Sequence, residues 1–167
     1  MKNKILVIFL AGVCLLAVAA RGYAEEPKLD MKKIAKNIIE AMNSGDPVAL
    51  ANTYAPDAVM ITPDQPEPVR GREAFLKYYQ TTLRAVPDLK GEPTSILFSG
   101  DTIIIEFNIS GTFTGPLATP EGDLAPTGNS VKMRSVTLFK IGPDGLVAED
   151  RTYFDTFTQM KQLGLIH

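Results

Sequence analysis

Cysteine and histidine are nearly absent from this 167-residue chain, each occurring once, as Cys14 and His167. Cys14 falls within an apolar leader, so removal of that leader leaves no thiol, which excludes disulfide stabilisation and a cysteine nucleophile. His167 is the terminal residue, a place where side chains are seldom held for chemistry. A Ser-His-Asp arrangement therefore lacks its base, and a metal site would have to be built from carboxylates alone, so none is expected. Positive charge is short as well. Without residues 1–24, which carry Lys2, Lys4 and Arg21 and no acid, 14 basic residues face 19 acidic ones, a formal charge of −5. That balance excludes nucleic acid as a partner, because neutralising phosphates needs a basic face.

What is present begins with Met1-Lys2-Asn3-Lys4, an apolar run over residues 5–20, and Arg21-Gly22-Tyr23-Ala24 ahead of Glu25-Glu26. A basic start, an apolar stretch short for a bilayer and small residues before a cut predict a secretory signal peptide over 1–24, cleaved after Ala24. An uncleaved anchor is the alternative. Val13 stands where lipoprotein processing at Cys14 would need a small residue. The expectation is an exported protein, periplasmic or secreted, with no membrane attachment after cleavage. Residues 25–29 then form a linker and 30–167 one domain, and roughly 140 residues suffice for a single core.

Helical spacing comes first along that domain. Met31, Ile34, Ala35, Ile38, Ile39 and Met42 share one side of a helix that Asp30 caps and Gly45 follows. Asp46-Pro47 supplies a cap and a first-position proline for a short second helix reaching Tyr54. Residues 58–62 read as a short strand, and 63–68, with three prolines in six residues, as exposed loop. A third helix from Gly71 aligns Phe75, Tyr78, Tyr79, Leu83 and Val86, and Pro87-Asp88 stops it. The period then changes to two, predicting strands over 94–98, 102–113, 131–141 and 146–154 with hairpin turns at Ser99-Gly100-Asp101 and Gly142-Pro143-Asp144-Gly145. Residues 116–129 read as a long surface loop and 156–163 as a closing helical turn. Helices followed by an antiparallel meander describe an α+β fold.

Four segments follow one another in the last third: Gly111-Thr112-Phe113-Thr114-Gly115-Pro116-Leu117, Pro126-Thr127-Gly128, Asp144-Gly145-Leu146-Val147-Ala148-Glu149, and Tyr153-Phe154-Asp155 ahead of Gln162-Leu163-Gly164-Leu165. In this order and spacing the chain resembles, over residues 29–165, the SnoaL-like polyketide cyclases, the ester cyclase branch of the nuclear transport factor 2-like superfamily. The resemblance implies a cystatin-like cone, a curved antiparallel sheet with N-terminal helices on its concave face. A cone has an inside, which makes a pocket for a small apolar or carbonyl-bearing molecule the expected seat of function.

The strand faces are mixed. Ile103, Ile105, Phe107 and Ile109 alternate with Ile104, Glu106, Asn108 and Ser110; Met133, Ser135 and Thr137 alternate with Arg134, Val136 and Leu138; and Glu149, Arg151 and Tyr153 alternate with Asp150, Thr152 and Phe154. A pocket on one side and a second subunit on the other would account for such faces, so a homodimer is expected. With the family's strand alignment in view, Glu106, Asn108, Arg134, Asp150 and Thr152 are expected to line the pocket. The alternative turns them to solvent, with Glu106 or Asp150 paired to Arg134 across strands.

The cyclases of this family remove a proton from an activated carbon beside a carbonyl, with no metal and no cofactor. That chemistry needs a base in an apolar pocket and a donor for the developing enolate. Aligned to the family, its histidine falls at Val136 and its aspartate at Thr152, neither of which exchanges a proton; a slip of the alignment brings Asp150 or Asp155 to the base position. The candidate bases are Asp150, Asp155 and Glu106, with Arg134 or Asn108 to hold an oxyanion. Asp155 has a second reading as N-cap of the closing helix, the commoner use of such a residue. Arg151 pairs with Glu149 or is exposed. Tyr54, Tyr78 and Tyr79, with Phe75, Phe98 and Tyr153, either line a site for a flat apolar ligand or form plain core. Leu117 is the expected inward anchor of a lid-like loop. Three functions follow: an acid–base isomerase, cyclase or hydrolase; a non-catalytic binding module that has lost the catalytic pair; or a structural dimer.

Overall fold

The computed structural model describes residues 29–119 and 122–166; the leader 1–24, all of the linker but Leu29, and His167 lie outside the described residues. Helix α1 (Met31–Asn43) starts where Asp30 accepts a hydrogen bond from the Lys33 amide at 3.1 Å, and it buries Ala35 and Ile38. Helix α2 (Pro47–Ala51) has Pro47 in its first turn and Asp46 accepting from the Val48 amide at 2.8 Å. The expected extension of α2 to Tyr54 does not form. Asn52 closes the helix and Tyr54 opens strand β1 (Tyr54–Ile61). The Val147 amide donates to the Thr53 carbonyl and Arg72 Nε to the Tyr54 carbonyl, at 2.9 and 2.7 Å, so donors from elsewhere in the fold replace the helical ones.

Strand β2 (Val69–Arg70), helix α3 (Arg72–Ala85), strands β3 (Lys90–Ser99) and β4 (Thr102–Thr112), the short pair β5 (Leu117–Thr119) and β6 (Gly122–Leu124), strands β7 (Ser130–Ile141) and β8 (Val147–Phe154), and helix α4 (Thr156–Gln162) complete the order. Six strands form one sheet, β2-β1-β8-β7-β4-β3. The run β3, β4, β7, β8 is antiparallel, as the alternation predicts. Strand β1, however, lies parallel to β8, which corrects the expectation of an antiparallel sheet throughout. The two strands come from opposite ends of the domain, so no hairpin dictates their direction. The segment 116–129 likewise departs from plain loop, because β5 and β6 make a separate two-stranded sheet within it.

The ladder shifts register in β1 between Tyr54 and Val59, and where β7 meets β8 between Lys140 and Ile141. Such bulges bend strands and increase their twist, and they curl this sheet. The concave side receives the helices: Ala35 and Ile38 of α1, Leu50 and Ala51 of α2, and Phe75 and Tyr79 of α3 pack with Ile103, Ile105, Phe107 and Phe139 of the sheet. A second cluster of Ala85, Val86, Phe113, Val131 and Leu163 ties the end of α3 to α4. The space between helices and sheet is only partly filled.

Candidate active site

That space is a cavity of about 650 Å³, within the range of small-molecule sites. Residues directly opposed in a ladder share a face, so the register decides which side chains meet there. Met60, Asp150, Phe139, Ile103 and Phe98 form one cross-strand row, and the next holds Thr152, Thr137, Ile105 and Ile96. Asp150 thus projects from the concave face between apolar neighbours.

Asp150 is 4% exposed. The Tyr54 hydroxyl donates to Asp150 Oδ2 at 2.6 Å and the Thr152 hydroxyl to Oδ1 at 2.8 Å, while Thr137 Oγ1 lies 2.9 Å from Thr152 Oγ1. The bulge in β1 leaves Tyr54 behind the regular ladder, where its ring stacks on Phe75 at 3.9 Å between centroids. Burial raises the Asp150 pKa from 3.8 to about 6, against the lowering influence of the Tyr54 and Thr152 hydrogen bonds. Burial, together with the neighbouring Asp150 charge, also holds the Tyr54 phenol well above its ordinary value. A carboxylate held in an apolar wall by hydroxyls alone is suited to taking a proton near neutral pH.

A second carboxylate lines the same cavity. Asp64, from the proline-rich segment after β1, accepts from the Thr62 hydroxyl at 2.6 Å and from the Tyr78 hydroxyl at 2.8 Å. Burial and the charge of Asp64 push the Tyr78 phenol up. Tyr79, whose hydroxyl donates to the Met42 carbonyl at 3.0 Å, is raised to about 12 by burial. Of the residues singled out from sequence, Asp150, Thr152, Tyr54, Tyr78, Tyr79 and Leu117 line this space. Sequence reasoning missed Asp64, Thr62, Ser135 and Thr137. Ser135 and Thr137 alternate with Arg134 and Val136, so a correct face for β7 would have found them.

Glu106, Asn108 and Arg134 are placed otherwise. Asn108 opposes Arg134 and Glu106 opposes Val136, and all three polar side chains lie exposed on the convex face. This corrects their expected place in the pocket. Isoleucine and phenylalanine claim the concave side of β4, and the ladder then carries Arg134 outward with Asn108. Arg151 forms an ion pair with Glu149. Asp155 caps α4, accepting from the Thr158 amide and hydroxyl at 3.0 and 2.6 Å, and these bonds hold its pKa below 3.8. Asp155→Ala is expected to lower the midpoint of denaturant unfolding by loss of the cap while leaving ligand affinity unchanged. Among the described residues no group of three or more His, Cys, Asp or Glu is placed to hold a metal ion.

The family model for SnoaL-like polyketide cyclases matches residues 32–163. The chain belongs to this family. Among solved structures, a SnoaL-like protein from Jannaschia sp. CCS1 superposes on this SnoaL-like domain with a TM-score of 0.69 at 20% identity, covering 81% of this chain and 94% of that one. TsrD from Streptomyces laurentii gives 0.67 at 24% identity, over 81% and 96%. IdmH from Streptomyces antibioticus gives 0.65 at 28%, over 81% and 99%. A search of curated proteins finds no match. In this SnoaL-like domain Val136, where the alignment placed the family histidine, opposes Tyr153 on the convex face, and the concave positions beside it are Ser135 and Thr137.

Proposed function

We propose that this SnoaL-like domain binds a small apolar, carbonyl-bearing molecule in its cavity and moves a proton on it, cofactor-free, with Asp150 as the base. The observation that carries the reading is a buried aspartate, Asp150, on the cavity wall, its carboxylate held only by Tyr54 and Thr152. In the first step the C–H bond beside the carbonyl breaks, its proton goes to Asp150, and the electron pair moves onto the carbonyl oxygen as an enolate. Neutralising Asp150 weakens its claim on the Tyr54 hydroxyl, which becomes the donor for the developing oxyanion. Return of the proton to another atom gives isomerisation, and attack of the enolate on a second carbonyl gives ring closure.

Export and self-association complete the proposal. The basic and apolar leader supports export to the periplasm or medium, and no described helix is long and apolar enough to cross a membrane. Pairing through the convex face is supported by Leu97 and Tyr153, 59% and 56% exposed, which share that face with Ile104, Val136 and Leu138. A second reading, a non-catalytic carrier, is favoured by one observation: among the described residues no histidine lines the cavity, and Val136 stands on the convex face at the family histidine's position. An aryl ketone with an acidic α-hydrogen separates the two, using thermal shift for binding and NMR in D₂O for exchange. The enzyme reading expects both a stabilising shift and exchange faster than in buffer. Binding without exchange supports the carrier, and neither effect with a range of apolar ketones and esters sinks the reading of the cavity as a ligand site.

A further inference from the structure

Among the described residues, the side chains that line the cavity include two carboxylates, Asp64 and Asp150, and no lysine, arginine or histidine. Its hydroxyl hydrogens near those carboxylates are already committed. Tyr54 and Thr152 donate to Asp150, and Tyr78 and Thr62 donate to Asp64. The Thr152 hydrogen is spent on Asp150, so the hydrogen between Thr152 and Thr137 must come from Thr137. Each carboxylate oxygen accepts one of these bonds and retains a further lone pair, and the phenol oxygens retain theirs. Around the two carboxylates the wall therefore offers acceptors and negative charge with tyrosine rings beside them, and the remaining donors of the lining, on Gln65, Ser135, Thr156 and Gln159, are neutral. A ligand carboxylate or phosphate placed there would lose its water and meet like charge. A protonated amine would meet the opposite: open acceptors, a net attraction and aromatic faces.

We propose that Asp64, with Tyr78 and Thr62, is a recognition site for a protonated amino group on an otherwise apolar ligand. Asp64 is the member suited to this, because it is exposed where Asp150 is buried, so a cation reaches it without full desolvation. Thr62 and Tyr78 fix its two oxygens in place, which reduces the ordering needed when the cation arrives. The proposal rests on the reading of the cavity as a ligand site and narrows its ligand to an amine-bearing molecule, the ammonium at Asp64 and the reacting carbon toward Asp150.

Isothermal titration of the mature protein with three probes of one shape tests it: 2-(2-naphthyl)ethylamine, 2-(2-naphthyl)ethanol and 2-naphthylacetate. The expected result is an amine bound at least about tenfold more tightly than the alcohol, the strength of a charge-assisted hydrogen bond, and a carboxylate bound more weakly than either. Asp64→Asn should abolish the amine preference, bringing the amine down to the level of the alcohol. Equal affinity for amine and alcohol, preference for the carboxylate, or an amine preference untouched by Asp64→Asn overturns the amine site while leaving the cavity a binding site. Failure of all three probes removes the cavity reading itself, and the amine site with it. The wild-type comparison stands even if the variant is poorly folded.

Discussion

Asp150→Asn abolishes proton exchange on an α-acidic ketone and does not lower stability at pH 8. The first half follows from the role assigned to the carboxylate, since an amide keeps the shape and one acceptor but cannot take a proton. Loss of a positioned base is worth about 10²–10⁴ in rate. The second half follows from linkage. Burial raises the folded-state pKa of Asp150 to about 6 from 3.8, so between those values the folded protein holds a proton that the unfolded chain has released. Stability from this group is then fully present below about pH 4 and declines as pH rises through about 6, a difference on the order of 3 kcal/mol. Asparagine carries no charge to desolvate, so the variant should show a flatter stability profile over pH 4–6. Exchange by the wild type should run the other way, rising through about pH 6 as the carboxylate form accumulates and levelling above it. Urea unfolding at several pH values and NMR exchange rates at the same values check both halves. An inactive variant that is also several kcal/mol less stable at pH 8 would show Asp150 to be a structural hydrogen-bond acceptor. An active one would remove it as the base.

The helices and long strands were legible because their periods are strong: the α1 stripe, the capping residues Asp30 and Asp46, and the alternation in β4, β7 and β8 all come from local chemistry. Tyr54 was not legible as a strand residue, because what pulls it out of α2 is a hydrogen bond from Arg72, 18 residues away. The parallel pairing of β1 with β8 is a contact between distant segments and leaves no periodic trace. The site was half legible for a related reason. Alternation separates two faces of a strand but does not say which is concave, and the choice has to be made consistently across neighbouring strands. Asp150 and Thr152 oppose Phe139 and Thr137, whereas Arg134 opposes Asn108. Asp150 and Arg134 therefore lie on opposite faces, and the register shift between Lys140 and Ile141 hides this, because a register counted straight from the hairpin through Ile141 and Val147 puts both on one face. Asp64 carried no such signal, since its value comes from Thr62 and Tyr78 converging on it.

Gly115→Ala is expected to be the most damaging single methyl in the domain. Gly115 follows β4 where the chain turns beneath the end of α3, and the amides of Thr114 and Gly115 both donate to the Ala85 carbonyl at 3.1 Å, satisfying an acceptor that the helix leaves open. A Cβ on Gly115 would overlap the Arg84 carbonyl oxygen, a backbone atom fixed by the helix. Relief requires the segment to move away, which breaks both bonds and draws β5 and β6 from α3, separating the ion pair of Arg84 with Asp123. Overpacking against backbone with loss of two hydrogen bonds should cost about 3 kcal/mol or more. Gly91→Ala is the control, because there the added methyl meets chiefly the tip of Met42, a flexible side chain that can turn aside, and the cost should stay within about 1 kcal/mol. The two variants should also differ at the site. Leu117, Ala118, Thr119 and Leu124 of the hairpin line the cavity, so Gly115→Ala loses part of its wall and should bind the naphthyl probes more weakly even where it remains folded. Matched urea curves would contradict the account if the two alanine variants unfolded together, since a clash that backbone could absorb as readily as methionine would leave nothing to hold the hairpin against α3.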